Sequence, residues 1–225
     1  MKKTSMILTG LLMISSIGFA APMTDFSLGK VQLDAMKYPS LNMDIRGQNG
    51  GEYATDSTPS AKNNFDYGIT AGLGSNFALQ YKNNKADAYY DYNSDASYCK
   101  MREKELNVLY KVDKSSAVFI GMTRSKLDLV DNVYGNNYSG TTTKGYQVGL
   151  QTTVPISEKI NGYAVASVGT KVTSFELGLA YKISNNIDFN MSYLNSKYKD
   201  LVNEYSTEKA DYAAAGVGAG VSYRF

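Results

Sequence analysis

Residues Gly216–Phe225, GVGAGVSYRF, alternate strictly between apolar residues and small or polar ones. Successive side chains of a β-strand point to opposite faces, so one face of this segment is apolar and the other carries glycines, Ser222 and Arg224. The apolar face consists of Val217, Ala219, Val221, Tyr223 and Phe225. Chain ends are usually poorly ordered unless they are tied down. The pattern therefore predicts a strand that is paired with another strand up to its last residue.

Nine other segments alternate in the same way, while apolar stripes with the period of a helix are scarce. The ten predicted strands are residues 30–37, 65–73, 77–82, 103–112, 117–123, 145–154, 160–169, 174–182, 187–194 and 216–225. Short turns connect some of them, at 74–76, 113–116, 157–159 and 184–186. The other connections are predicted as polar loops at about 38–64, 83–102, 124–144 and 195–212, with a shorter one at 170–173.

This sorting of connections by length indicates the fold class. Outer-membrane barrels have short turns on one side of the membrane and long loops on the other. A β-sandwich also contains many alternating strands, but it gives no reason for its loops to be sorted. The sequence therefore predicts an all-β fold, a closed antiparallel up-and-down transmembrane β-barrel of about ten strands. Eight strands is the alternative.

The first twenty residues have the features of a secretory signal peptide. After two lysines, a short apolar run extends from Ser5 to Ile17, and small residues follow up to Ala20. The run is shorter than the ~20 residues that a membrane-spanning helix needs. We predict cleavage between Ala20 and Ala21, so that residues 21–225 form one barrel domain.

Composition argues against several classes of function. Without the two lysines of the signal peptide, the 23 basic residues become 21 and equal the 21 acidic ones, so we predict no nucleic-acid partner. The chain has no histidine, which serine–histidine and carboxylate–histidine catalysis require. We predict no enzymatic activity, no cofactor and no metal site. Cys99 is the only cysteine; it has no disulfide partner within the chain, and we predict it at the surface.

The C-terminal segment resembles the sorting signal of Gram-negative outer-membrane proteins, which the barrel-assembly machinery reads. That signal ends in phenylalanine, has an aromatic residue two positions earlier and alternates with apolar residues, as do Val221, Tyr223 and Phe225. The chain from residue 21 onward resembles the small outer-membrane barrels of the broad opacity-protein and OmpA/OmpX-like group. This resemblance implies a place in the cell outer membrane, contact with the lipid bilayer and lipopolysaccharide, and adhesion through surface loops.

The inward faces of the predicted strands are polar and carry both signs of charge in nearly equal number. The predicted lumen network consists of Asp34, Asp66, Lys82, Glu105, Lys111, Glu176, Lys182, Asp188 and Arg224. A barrel of eight to ten strands has room inside only for side chains or one small ligand. Because isolated buried charges are costly, we expect these groups to pair and to plug the lumen. A narrow path for solutes is the alternative interpretation.

Two predicted loops contain the residue types of adaptable recognition surfaces, in which tyrosine supplies contact area and small polar residues supply hydrogen bonds. The recognition candidates are Tyr89, Tyr90, Tyr92, Tyr134 and Tyr138. Ordinary solvated loops have the same composition. We predict a structural or adhesin-like surface role through the loops, with a narrow porin-like channel for small solutes or ions as the alternative. A secreted soluble β-protein is a third interpretation, and it requires apolar residues inside the barrel and polar residues outside.

Overall fold

The computed structural model describes residues 21–47, 64–92, 95–131, 136–202 and 209–225. Eleven strands occupy most of these residues: β1 (Val31–Gly47), β2 (Phe65–Gly74), β3 (Phe77–Tyr92), β4 (Asp95–Lys111), β5 (Ser116–Asp131), β6 (Asn136–Ser139), β7 (Thr143–Pro155), β8 (Ile160–Gly169), β9 (Val172–Lys182), β10 (Ile187–Val202) and β11 (Lys209–Arg224). Within the described ranges, no helix is long and apolar enough to cross a membrane.

Antiparallel pairing closes the strands into a barrel. The pairing runs in chain order around the sheet, β4 pairs with β5, and β1 pairs with β11. β6 and β7 share one position, because β5 pairs with β6 through Asp128–Asp131 and with β7 through Ser116–Ser125. The barrel therefore has ten strand positions. This confirms the predicted fold and excludes the alternative of eight strands.

The last strand is paired up to the end of the chain, as its alternation predicts. Val31 N donates to Phe225 O at 2.9 Å, and Phe225 N donates to Val31 O at 3.0 Å. This reciprocal pair closes the barrel at the end that also carries the short turns. We call this end, with the turns at 74–77, 112–116, 156–160 and 183–187, the turn end, and the opposite end the far end.

Local chemistry explains the short turns. Ser75 and Asn76 have φ angles of 51° and 68°, and two successive positive φ values are typical of the tightest β-hairpins, whose twist matches that of the strands. In the next turn, Asp113 Oδ1 accepts hydrogen bonds from Ser115 N at 2.7 Å and Ser116 N at 2.8 Å. These bonds, chiefly those from Ser115, stabilise the ionised carboxylate and lower the pKa of Asp113 below its usual value.

The strands extend far beyond their predicted limits at the far end, so the predicted loops are strand over much of their length, while residues 48–63, 132–135 and 203–208 of these predicted loops lie outside the described residues. β3 and β4 together occupy residues 77–92 and 95–111, which contain almost all of the predicted loop at 83–102. β1, β5 and β10 likewise continue to Gly47, Asp131 and Val202. The prediction misses these extensions because the side chains there no longer follow the polarity of the lower strands, although backbone pairing continues.

The lower part of the barrel is apolar on its outer face. Its outward side chains form a belt of large exposed hydrophobic residues, which includes Leu33, Ile69, Leu79, Leu106, Val108, Ile120, Met122, Val148, Leu177, Leu179, Phe189, Met191, Val217 and Val221. Exposed apolar surface of this extent around a whole barrel marks contact with lipid. The barrel therefore spans a membrane through this belt.

Above the belt the polarity inverts. Leu41, Met43 and Ile45 of β1 point inward and are 3–4% exposed, whereas Asn42 between them is exposed. They belong to an apolar layer inside the far end, together with Met36, Tyr38, Cys99, Met101, Leu127, Val172, Leu194, Tyr198, Leu201, Tyr212 and Ala214. Cys99 is fully buried in this layer, so its predicted surface position is wrong. The far end is therefore apolar inside and polar outside, as in a soluble barrel, whereas the membrane-spanning part below it is apolar outside.

Candidate functional site: the filled lumen

Residues 21–27 enter the lumen at the turn end with Ala21, Met23 and Phe26 buried and Thr24, Asp25 and Ser27 exposed; we call them the N-terminal plug. Ala21, Met23 and Phe26 are 3–4% exposed. They form an apolar cluster with side chains from five strands of the wall: Ala78, Leu109, Ala117, Phe119, Tyr163, Val165 and Ala180. The turn end of the lumen is therefore closed by packed apolar side chains.

Polar side chains of the barrel wall bind the backbone of the plug. Gln32 Nε2 donates to Ala21 O at 2.7 Å, and Lys111 Nζ donates to Thr24 O at 2.6 Å. Ala21 N in turn donates to Asn190 Oδ1 at 3.2 Å. The two bonds to Ala21 satisfy backbone groups that would otherwise be buried without partners, whereas the bond to Thr24 O is exposed at the turn end. Lys111, predicted to lie in the lumen network, instead binds the plug at the turn end.

A layer of buried polar side chains follows above the plug, and Glu105 is its centre on one wall. Gln147 Nε2 and Asn107 Nδ2 donate to Glu105 Oε2 at 2.7 and 3.1 Å, and Lys82 Nζ lies 3.7 Å from the same oxygen. Gln147 also donates to Asn107 Oδ1, and Asn107 donates to Gln80 Oε1. All five residues are at most 4% exposed. A network satisfied in this way is rigid and costly to open.

The polar layer continues on the opposite wall around Asp34. Ser222 Oγ and Gln32 Nε2 donate to Asp34 Oδ1 at 2.8 and 2.9 Å. Arg224 Nε donates to Gln32 Oε1 at 3.1 Å, and its guanidinium forms an ion pair with Asp188. β1, β10 and β11, which meet at the closure of the barrel, are therefore also joined through their inward side chains.

Glu103 links the polar layer to the apolar layer of the far end. Its carboxylate accepts hydrogen bonds from Tyr198 OH at 2.8 Å, Asn84 Nδ2 at 3.2 Å and Ser125 Oγ at 3.5 Å. A cavity of about 30 Å³ lies beside these groups, which is room for one or two water molecules. Asn84 Oδ1 and Ser196 Oγ line the cavity without a hydrogen-bond partner among the described residues. Water suits this space better than a solute.

The lumen is acidic, so the predicted near balance of its charges is wrong. Six carboxylates are at most 6% exposed: Asp34, Asp66, Glu103, Glu105, Glu176 and Asp188. Among the described residues Lys82 is the one buried amine, and Arg224 is partly exposed. Lys182 is on the same alternating face of β9 as the inward residues but is exposed at the turn end. The alternation predicts which face a side chain is on, and it does not predict how deep in the lumen the side chain lies. No three His, Cys, Asp or Glu side chains of the described ranges could hold a metal ion.

The remaining predicted residues lie on the outer surface or outside the described ranges. Val221, Tyr223 and Phe225 point outward and are 44–51% exposed, and the last two rings lie 5.2 Å apart. The backbones of Tyr89, Tyr90, Tyr92 and Tyr138 belong to β3 and β6 at the far end. Tyr134 and Ala20 lie outside the described residues. Ala21, on the other side of the predicted cleavage point, begins the plug.

Sequence reasoning missed the plug, Glu103 and the tyrosines of the upper lumen. Glu103 shares the phase of Glu105 on β4, so the alternation that identifies one identifies the other. Tyr38 and Tyr198 are at most 4% exposed, but they lie in segments predicted as loops. The plug has no strand periodicity, and its only signal is the pair of apolar residues Met23 and Phe26 directly after the predicted cleavage point.

No protein-family model and no curated protein matches the sequence. Among solved structures, the chain is similar to several outer-membrane barrels. Ail, the attachment invasion locus protein of Yersinia pestis, in complex with the heparin analogue sucrose octasulfate, is 11% identical over 88% of this chain and 99% of its own, with a TM-score of 0.42. Neisserial surface protein A is 15% identical over 87% of this chain and 96% of its own, with a TM-score of 0.38.

The outer membrane protein OprG from Pseudomonas aeruginosa is 13% identical over 91% of this chain and 99% of its own, with a TM-score of 0.35. At these values the likeness concerns barrel architecture alone. The closed antiparallel barrel that the C-terminal residues indicate is confirmed by the strand pairing of this chain itself.

Proposed function

We propose that this protein is an integral β-barrel of the outer membrane whose lumen is closed and whose far end, outside the cell, has a structural or adhesin-like role. The filled lumen carries this proposal. The plug, the polar layer and the apolar layer occupy successive levels of the barrel, so solutes have no continuous path through the described residues. The apolar belt and the C-terminal alternation that ends at Phe225 support the outer membrane as its location.

The length of the strands supports a role at the far end. β4 continues eleven residues beyond Leu106 of the belt, to Asp95, which is about 35 Å of strand at ~3.3 Å per residue. The apolar layer inside this extension makes it a rigid support rather than a set of free loops. Residues carried at its tip, such as Tyr89, Tyr90 and Tyr92, are held well above the lipid. We propose that this part of β3 takes part in contacts with macromolecules on other surfaces.

A narrow cation channel is the second candidate function, and the acidic lumen favours it. Six buried carboxylates attract cations, and water in the cavity beside Glu103 would assist them. Against this stands the apolar cluster around Phe26, which a cation cannot cross without leaving its hydration shell. We therefore rank the channel second.

Single-channel recording separates the two candidates. Protein purified from membranes is inserted into a planar bilayer, and its fold is checked by its strand circular dichroism and its heat-modifiable migration in gels. The proposal expects a folded barrel without steady openings. Steady openings whose cation selectivity falls in Glu105→Gln or Glu176→Gln would contradict it and establish the channel.

The surface role has its own test. Cells that carry the barrel are measured for adhesion to immobilised extracellular-matrix proteins and to one another, with Tyr89, Tyr90 and Tyr92 changed to serine. Thr141 and Thr142, exposed between β6 and β7, are changed to serine as the control. At equal surface amounts, the tyrosine variant should lose adhesion and the control should keep it. If cells with the wild-type barrel, cells with the tyrosine variant and cells without the barrel adhere equally, the adhesin-like role is contradicted and only a structural role remains.

We also propose that the protein is not an enzyme, since it lacks histidine, and that the barrel-assembly machinery inserts it by its C-terminal strand. Lipid and lipopolysaccharide would then be its permanent neighbours.

A further inference from the structure

Three cations lie side by side on the outer surface of the barrel, on adjacent strands. Lys104 of β4 is opposite Arg124 of β5, and Arg124 is opposite Lys144 of β7. All three side chains are exposed. We call them the basic row. Opposite residues of an antiparallel pair have Cα atoms about 5 Å apart, so the row places three positive charges within about 10 Å.

The basic row has no counter-charge of its own. Among the described residues, none of its three side chains forms an ion pair or a hydrogen bond. A second set of cations lies above it, where Arg102 is opposite Lys126, but these two are paired with Asp87 and Asp128. Like charges directly opposite one another destabilise a sheet. The row therefore lacks the anion that would stabilise it.

The position of the row along the strands indicates where that anion comes from. The next outward residues toward the turn end are Leu106, Met122 and Tyr146, which form a cross-strand row of their own and are 46–68% exposed. Outward residues two positions apart are separated by about 7 Å along a strand. The basic row thus lies one step above the upper edge of the apolar belt, at the height of the lipid headgroups.

We propose that the basic row binds the phosphate groups of a phosphorylated glycolipid in the outer leaflet, whose acyl chains pack on the belt below. Arg124 at the centre offers two parallel N–H donors to one phosphate. Lys104 and Lys144 flank it as point charges that a second phosphate or a sugar-linked phosphate can share. The identity of the lipid rests on the proposed outer-membrane location, but the site does not depend on any adhesive role.

A lipid fits this site better than a soluble polyanion does. The row is bounded below by lipid-facing side chains, so a large soluble polymer would have to enter the headgroup layer to reach it. Farther from the membrane, Asp87 and Asp128 already neutralise the neighbouring cations. The unneutralised charge is therefore concentrated at the edge of the belt, where an amphipathic anion resides.

The test uses protein purified from membranes and exchanged into a zwitterionic detergent. It is titrated with a bis-phosphorylated, acylated disaccharide lipid, with the same lipid after removal of its phosphates, and with inorganic pyrophosphate. Native mass spectrometry counts the bound lipid and gives its affinity. The test variant is Lys104→Gln/Arg124→Gln/Lys144→Gln. The matched control is Lys37→Gln/Lys197→Gln/Lys199→Gln, which removes three exposed lysines of β1 and β10. Lys37 and Lys197 are opposite uncharged residues, and Lys199 is bonded through its backbone to Lys171, whose charge Asp200 already pairs.

Each basic residue near an anionic lipid surface contributes enough that removal of three should weaken binding of the phosphorylated lipid on the order of a hundredfold. The control triple variant and binding of the dephosphorylated lipid should change little. Because repulsion within the row is also removed, the test variant should unfold at the same or a higher temperature than wild type without lipid. With the phosphorylated lipid, wild type should be the more stable.

Several results would overturn the proposal. Equal losses in the test and control variants would mean a diffuse charge effect, and equal binding of both lipid forms would mean apolar contact alone. Displacement of the lipid by pyrophosphate at equal concentration would mean a site for free phosphate. If the triple variant does not fold, the single variant Arg124→Gln decides the question, with an expected loss of affinity of about fivefold. These measurements are made in detergent, so they stand even if the proposed cellular location or adhesive role fails.

Discussion

Phe26→Ala should release the N-terminal plug from the lumen while the barrel stays folded. Phe26 is 3% exposed and belongs to a cluster with Leu109, Phe119 and Tyr163. Truncation of a buried phenylalanine to alanine costs about 3–5 kcal/mol. The lower end, about 3 kcal/mol, applies here, because a segment that belongs to no strand of the sheet can leave the lumen instead of leaving a cavity behind. Since about 1.4 kcal/mol corresponds to a factor of ten, the population with the plug released should rise on the order of a hundredfold.

Hydrogen exchange of one amide reports this opening directly. Gly74 N donates to Phe26 O at 2.9 Å, so the Gly74 amide is protected only while the plug is seated. In Phe26→Ala its exchange rate should rise by the same hundredfold, measured by NMR on the protein in detergent micelles. Amides in the β1–β11 pairing should keep their rates, since local opening leaves them paired. Leu28→Ala is the control in the same segment, because Leu28 is 80% exposed.

Two outcomes would refute this reasoning. An unchanged Gly74 rate would show that Phe26 does not hold the plug. A uniform rise in exchange across all strands, with a lower unfolding temperature, would show that the plug unfolds only together with the barrel. In both cases the plug could not be treated as a separate layer of the closed lumen.

Three further predictions concern the wall. Phe225→Ala should lower the amount of folded barrel in the membrane, measured by the heat-modifiable gel band, because the last strand would lose its terminal aromatic residue. Glu105→Ala should lower the free energy of unfolding by about 3–5 kcal/mol in urea titration, because it breaks a buried ion pair with Lys82 and removes the acceptor of Gln147 and Asn107. Gly178→Ala should cost about 1–3 kcal/mol in the same assay, since the new Cβ would overlap the Tyr163 ring.

Each of these has a matched control and a contrary result. Phe225→Tyr keeps the ring and should assemble normally; equal yields of the alanine and wild-type proteins would count against the sorting interpretation. Replacing both Glu105 and Lys82 by leucine and methionine should cost less than Glu105→Ala alone. Gly162→Ala should be tolerated, because its nearest neighbour is 3.1 Å away at the flexible end of Ile156; equal costs at both glycines would exclude overpacking as the cause.

Much of the lower barrel could be predicted from sequence, because there one face of each strand meets lipid and the other meets polar side chains. The alternation of Leu106, Val108 and Tyr110 identified β4, and the same rule correctly assigned Glu105 to the lumen. Strand number and closure followed from the same signal. The position of a residue along the barrel axis could not be predicted from this signal. Lys182 was therefore predicted to lie inside the lumen, although it is exposed at the turn end.

The far end was not predicted, because its alternation continues with the opposite phase. On β10 the outward apolar residues are Phe189, Met191 and Tyr193, but the next apolar residue, Leu194, points inward and is 3% exposed. A search for one fixed phase ends at this change and predicts a loop. The plug was missed for a different reason. It is extended but unpaired with any strand, so its burial depends on the width of the lumen, which no local pattern encodes.

The change of phase also locates the boundary of the membrane. On β1 the outer face changes from Ala35 to Lys37 where the inner face changes from Asp34 to Met36. On β4 the two changes occur within five residues, between Leu106 and Met101. Outside, large apolar side chains are stable against lipid and give way to polar ones where water begins; inside, the wall residues above the polar layer are apolar and pack against one another. Both changes therefore respond to one boundary, and the basic row lies on it. A phosphate site at that level would hold the barrel to the headgroups at the same boundary that the belt and the apolar layer mark, because a row of cations is attracted to phosphates and not to the acyl chains below.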